Sequence, residues 1–255
     1  ASAATVLSNN TAPGDAYTNP TPVNQGMAIA GSDWYYNNVR NGATVGISTA
    51  NPRSGNGSAH FNSPNNGKAD IEYLPGAVNL GGNYASTASL GAFATLSAMG
   101  YDWYRNSSSA AGSHLHPSLR VLLDRDGDLT TTGDRGGLVF ERSYNGMGTP
   151  TDTWVTDVLG ASTFVWNFGL GLGNEFDING NGYAYDSTIA DWQAFLPTAA
   201  IIGFSSGVGS GWNTFTGAVD NINWTIGGQS SSYNFEVRDD GGEVPEPASL
   251  ALLAA

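Results

Sequence analysis

Cysteine is absent from the 255 residues. That removes disulfides and thiolate chemistry, and it leaves cysteine usage silent about the redox compartment. Charge is scarce and one-sided, with 12% charged residues, nine Lys and Arg against 22 Asp and Glu, and a formal net charge of -13. This balance argues against nucleic acid and anionic membrane surfaces as partners and favours calcium, or no charged partner at all. Histidine is nearly missing too, with only His60, His114 and His116. With no Cys and no Gly-x-Ser-x-Gly elbow, no catalytic constellation is legible in the sequence. His114 and His116 share a strand face, but they have no third ligand close by and read as loop residues before Pro117. Glu72, Glu141, Glu175 and Glu236 are far apart in sequence and form no compact acidic strand motif, so no glycosidase pair is legible and a non-enzymatic protein is expected. The one apolar terminal run, Leu250 to Ala255, falls well short of the roughly 20 residues that span a bilayer.

What the chain has in quantity is turn formers: Gly 35, Pro 11, and abundant Ser, Thr and Asn. Such a sequence is poor in helix formers. At 40% hydrophobic it still buries a sizeable core, and no internal linker divides it. Pairs of large residues two apart, Trp34 and Tyr36, Val45 and Ile47, Ala59 and Phe61, Ile71 and Tyr73, mark half-buried strands. Asn41-Gly42, Gly55-Asn56-Gly57 and Asn65-Asn66-Gly67 lie between them and read as hairpin turns. Leu90 to Arg105 reads as one long strand. Further strands are expected over Ser118 to Leu123, Gly137 to Arg142, Trp154 to Val158 paired with Thr163 to Phe168, Ala199 to Phe204, Phe215 to Ile226 and Tyr233 to Val237. Ile189, Trp192, Phe195 and Leu196 follow helical spacing before Pro197, with Ser187 or Thr188 as cap. The expectation is an all-β, jelly-roll-like β-sandwich with one short helix near 187-196. Residues 1-30 form an N-terminal arm or first strand, 31-238 the sandwich domain, and 239-255 an acidic linker and tail.

Two loops offer carboxylates to a hard cation, and calcium is the candidate cofactor. Asp124, Asp126 and Asp128, with Asp134 beyond, alternate through a strand connection where they repel unless solvated or bridged. Asp177, Asn179 and Asn181 follow the first half of an EF-hand-like loop, with Gly182 at the sixth position; Thr188 stands where the bidentate Glu belongs, and Asp186 is the substitute ligand. Aromatic residues, Trp 7 and Tyr 11, supply candidate sugar-stacking platforms at Trp34, Tyr36, Trp103 and Tyr104. Adjacent aromatics on a strand point to opposite faces, so one of each cluster is expected to be exposed. Trp192, at its helical spacing, is expected in the core.

The C-terminal stretch Val244-Pro245-Glu246-Pro247, followed by Ala-Ser-Leu-Ala-Leu-Leu, resembles the PEP-CTERM sorting signal. The resemblance covers about a dozen residues, and the full hydrophobic helix and arginine cluster of that family do not follow. Ala1-Ser2-Ala3-Ala4 agrees with a mature start after signal-peptide removal. Phrases such as Leu138-Val139-Phe140-Glu141 and Phe215-Thr216-Gly217-Ala218-Val219-Asp220-Asn221 look like those of the globular regions of PEP-CTERM proteins, which are similar to lectin-like and carbohydrate-binding sandwiches. The resemblance implies secretion to the cell surface or extracellular matrix of a Gram-negative bacterium that makes exopolysaccharide, with only transient membrane contact through the tail. The expected function is a structural matrix protein that self-associates into filaments through its termini. The alternative is a carbohydrate-binding module for exopolysaccharide, and a glycoside hydrolase ranks third.

Overall fold

The computed structural model describes residues 2–239. Pro245, Glu246 and Pro247, and with them the tail proposed for sorting and assembly, lie outside the described residues.

The chain forms β1 (Ala4–Thr11), β2 (Tyr17–Thr18), β3 (Gln25–Ala28), β4 (Trp34–Arg40), β5 (Thr44–Ser48) and β6 (Ser58–Ser63). It continues through β7 (Lys68–Tyr73), β8 (Val78–Leu80), β9 (Asn83–Ala85), β10 (Gly91–Ala92), β11 (Leu96–Arg105) and β12 (Ser118–Asp124). The last third holds β13 (Arg135–Phe140), β14 (Trp154–Leu159), β15 (Trp166–Gly169), the helix α1 (Ile189–Phe195), β16 (Ala200–Val208), β17 (Phe215–Ile226) and β18 (Gln229–Arg238). Two eight-stranded sheets result, and their facing sides make the core of an all-β, jelly-roll-like sandwich.

Sheet I runs β1-β18-β17-β6-β5-β2, with β11 on the other edge of β17 and β14 outside β11. One edge of β17 serves two partners in turn, β6 along Phe215 to Val219 and β18 along Ile222 to Ile226. Asn221, at φ 53°, makes the bend between them. Sheet II runs β15-β13-β12-β16-β7-β4-β3, with β10 beside β16. Residues 4–28 supply three strands, and β1 pairs in parallel with β18 from Ala4↔Tyr233 onward. That pairing places the N-terminal segment in the domain's own sheet rather than leaving it to reach another subunit.

The period-two alternation decides which residues enter the core. Ala69, Ile71, Leu119, Val121, Leu138, Phe140, Phe204 and Val208 point between the sheets and are buried. Their neighbours at odd offsets point the other way, across the outer face of sheet II. An aromatic cluster fills the centre: Trp34 meets Phe235 edge-on at 4.9 Å, and Phe204 stacks on Trp224 at 4.1 Å. Buried polar groups are bonded in place. The Tyr36 hydroxyl donates to Asp15 at 2.6 Å and accepts from Ile47 N–H at 2.9 Å. His116, stacked on Trp103 at 4.7 Å, accepts the Arg142 backbone N–H on Nε2 at 2.9 Å, with Nδ1 2.9 Å from the Pro117 carbonyl.

Three local expectations need correction. Asn41-Gly42 and Asn65-Asn66-Gly67 are not hairpin turns, because β4 and β7 belong to sheet II while β5 and β6 belong to sheet I; each turn carries the chain across the core. Only the loop holding Gly55-Asn56-Gly57 joins paired neighbours, β5 and β6. Likewise β14 and β15 do not pair with each other, since β14 pairs with β11 and β15 with β13. Leu90 to Arg105 is broken by a 3-10 turn at Phe93–Thr95 that buries Phe93. The helix forms as read, with Thr188 as cap: its side chain accepts from Asp191 N–H, and the Asp191 carboxylate accepts from Thr188 N–H at 2.8 Å.

Candidate functional site

The outward-facing residues of sheet II line a cleft of about 650 Å³. Its floor follows from register: Glu72 lies opposite Ser205, Ser205 opposite Arg120, Arg120 opposite Val139, and Val139 opposite Trp166. One row of side chains therefore crosses β7, β16, β12, β13 and β15. Half-buried rings stand at the walls, with Trp166 at the β15 side, Tyr84 above β4 and Trp212 in the loop after β16.

The floor is a charged network. The Asp70 carboxylate binds Arg120 Nη1 at 2.9 Å and Lys68 Nζ at 2.9 Å, and it accepts from Asn38 Nδ2 at 2.9 Å. Burial pushes this carboxyl up, but the Arg120 and Lys68 charges outweigh it and hold it below the usual range. Glu72, two residues on, accepts from Asn37 at 2.7 Å and from the same Asn38 amide at 3.0 Å. Burial, with the Asp70 charge beside it, raises the Glu72 carboxyl. Glu141, just past β13, accepts from Trp166 Nε1 at 2.9 Å, and burial raises it too. Room for the Asp70 side chain comes from Gly207, where a Cβ would stand 1.9 Å from Asp70 Oδ1. A further ring cluster extends from Trp166: Tyr185 lies 6.2 Å from it and stacks on Tyr144 at 4.0 Å.

The residues singled out for sugar stacking do not face this cleft. Trp34, Tyr36 and Trp103 are fully buried between the sheets, because the alternation that pairs them with apolar neighbours turns them inward. Tyr104 is half-buried on sheet I, 5.8 Å from Trp154. The rings that line the cleft are instead Trp166, Tyr84 and Trp212. Their signal was present for Trp166, which alternates with buried Val165 and Asn167, and for the floor in the run Lys68-x-Asp70-x-Glu72. In a chain only 12% charged, three charges at successive outward positions mark a polar face that has a use.

At the Arg135 end of the cleft, the β12–β13 loop brings ligand oxygens of Asp124, Asp126 and Asp134 within 4.8 Å of one another. Asp124 is buried and bonds Arg135 Nε at 3.2 Å, and burial raises its carboxyl. Asp128 stands apart, its carboxylate taken by the Thr130 hydroxyl at 2.6 Å and backbone N–H at 3.0 Å. In the second loop the Asn179 and Asn181 amides donate to Asp186 at 3.0 and 2.6 Å. Asp177 there accepts the N–H groups of Asn179, Gly180 and Gly182.

No protein-family model matches the chain, and no curated protein does. Among solved structures, the chain is similar to a carbohydrate-binding module of the β-sandwich superfamily, with 11% identity, a TM-score of 0.34, and coverage of 79% of this chain and 56% of that one. It is similar to the family 11 carbohydrate-binding module of Clostridium thermocellum in complex with a β-1,3-1,4-mixed-linked tetrasaccharide, with 11% identity, a TM-score of 0.38, and coverage of 84% and 98%. A xylanase mutant gives 10% identity, a TM-score of 0.43, and coverage of 87% and 92%.

Proposed function

We propose that this chain is a non-catalytic glycan-binding sandwich whose ligand lies in the cleft of sheet II. The observation that carries the reading is the cleft's construction, with half-buried rings of Trp166, Tyr84 and Trp212 around a floor of amides, carboxylates and guanidinium groups locked in one geometry. Aromatic faces take the apolar faces of sugar rings, while fixed donors and acceptors take hydroxyls; a cavity of this size suits a short run of sugar units. An exopolysaccharide at the surface of the secreting cell is the ligand class in view.

The disposition of the acids supports binding over hydrolysis. Three strand spacings, about 14 Å, separate β7 from β13, whereas glycosidase carboxyls stand roughly 5–9.5 Å apart. The two side chains also lean away from each other, Glu72 toward the Asn37 and Asn38 amides of β4 and Glu141 toward Trp166 of β15. Asp70 is nearer to Glu72, but both its oxygens are held by two cations and an amide. A filament-forming matrix role finds less support, since its connectors were the tail beyond residue 239 and an N-terminal segment already paired with β18.

Affinity electrophoresis of the whole chain against a panel of soluble polysaccharides tests the reading. Retardation by at least one glycan, reduced about tenfold or more in Trp166→Ala, is expected; a chain retarded by none has a cleft that does not bind glycans.

A further inference from the structure

Only nine residues of this acidic chain are basic, and four of them, Arg40, Lys68, Arg120 and Arg135, line the cleft. Their counter-charges are unevenly shared. Arg135 has Asp124, while Arg120 and Lys68 divide the single carboxylate of Asp70 between them. Of the five ion pairs among the described residues none includes Arg40. Its guanidinium meets one amide oxygen, that of Asn24 at 2.7 Å.

Arg40 and Lys68 are direct cross-strand partners in the β4–β7 register. Like charges directly opposite one another on a sheet destabilise it. Folding alone gives no reason for this arrangement in a chain with a net charge of -13, where an acidic neighbour for Arg40 would be easy to supply. Beside the pair stands Trp212, whose carbonyl accepts from Asn66 N–H at 2.9 Å, tying its loop to the turn that leads into Lys68. Its half-buried ring packs edge-on against Phe215 at 5.4 Å. One end of the cleft thus combines an aromatic ring, two facing cations and the Asn24 amide.

We propose that the glycan bound in this cleft is acidic, and that an anionic substituent on a sugar ring, a carboxylate or a sulfate, docks between Arg40 and Lys68 beside Trp212. The assignment rests on the cleft being the glycan site. A planar guanidinium takes a carboxylate or sulfate through paired N–H groups, and Arg40 keeps donors free for this. The anion also supplies the counter-charge that Arg40 lacks and that Lys68 shares with Arg120. The net charge of -13 repels polyanions in general, so such a ligand depends on the cations at this end of the cleft.

The test measures binding of the whole chain to polygalacturonate, a sulfated carrageenan and a neutral mixed-linkage β-glucan at about 0.15 M salt, where charges beyond about 8 Å are screened. The wild type is expected to bind a polyanion more tightly than the β-glucan, and the preferred polyanion tells carboxylate from sulfate. Arg40→Gln is expected to lose about tenfold or more of that affinity and clearly less on the β-glucan, while Arg40→Lys retains most of it and Trp166→Ala weakens every glycan bound. Binding of the β-glucan alone, or an equal loss on all glycans in Arg40→Gln, overturns the acidic-ligand assignment and leaves the cleft reading standing. Binding of none of the three overturns both.

Discussion

His116 gives the domain a pH dependence whose size follows from its surroundings. The imidazole is stacked on Trp103, with Nε2 accepting a backbone N–H, so a proton there would have to displace the Arg142 amide. Burial drives its pKa down from 6.5 to about 4. Because the folded value is depressed, the unfolded chain takes up the extra proton first as the pH falls. This contribution to stability is fully present above about pH 6.5 and is lost progressively toward pH 4. At 1.36 kcal/mol per unit, the loss between pH 7.5 and pH 5 is about 2 kcal/mol. For a domain of this size that is roughly 4–8 °C in Tm. His116→Gln keeps an acceptor near the Nε2 position but does not titrate, so its deficit relative to wild type should shrink by about that amount between the two pH values. Subtracting the variant also removes the contribution of His60, which burial lowers as well. The assay is a pair of denaturant titrations at each pH, with the His116 ring protons followed by NMR. A ring that titrates near pH 6.5 in the native state, or a deficit that does not change with pH, would refute the reasoning.

Asp220 should act in the opposite sense: burial raises its carboxyl to about 7, and its Oδ1 accepts Phe235 and Asn221 N–H groups at 2.8 Å each. An acid raised in the folded state costs stability as pH rises from about 4 to 7, so Asp220→Asn should gain on wild type by about 2–3 kcal/mol between pH 5 and pH 8 in chemical denaturation; a gap constant with pH would contradict this. Gly207→Ala places a methyl on the Asp70 carboxylate and should cost about 3 kcal/mol by parting it from Arg120, read as a lower denaturation midpoint. An unchanged midpoint would mean that the strand yields instead. Asp126→Asn removes one of three crowded carboxylates and should raise Tm in chelator, whereas millimolar calcium, the candidate cation, should favour the wild type by linkage. Melts that calcium leaves untouched would set the loop down as repulsive only.

Much of the architecture is legible in the chain because strands announce themselves locally. Alternation such as Ala69, Ile71 and Tyr73 against Lys68, Asp70 and Glu72 is a property of six consecutive residues, and so is the Thr188 cap with Asp191 three positions on. Which way a turn leads is not local. Asn41-Gly42 reverses the chain equally well within a sheet or across the core, and only the packing of distant strands selects the second. The same limit hid the site. Glu72, Ser205, Arg120 and Val139 form a row only because the sheet orders β7, β16, β12 and β13 side by side, an order that joins residues more than a hundred positions apart. Alternation also fixes that Trp34 and Tyr36 share a face without saying which face is inward. Packing puts both in the core, whereas Trp166, a single ring between buried Val165 and Asn167, faces out into the cleft.

The parallel pairing of β1 with β18 bears on mechanics. Residue 4 lies at one end of that pair and residue 238 at the other, so tension applied between the two ends of the domain slides the strands lengthwise. Every rung of the ladder is then loaded at once, and none can be opened ahead of the next, as happens when an antiparallel hairpin is peeled from its tip. Arg238 adds a latch, its backbone N–H bonded to the Ser8 hydroxyl at 2.9 Å and its Nε to the Ser8 carbonyl at 3.0 Å. A domain closed in this way resists stretching along the β1–β18 axis more than it resists peeling of an antiparallel edge strand.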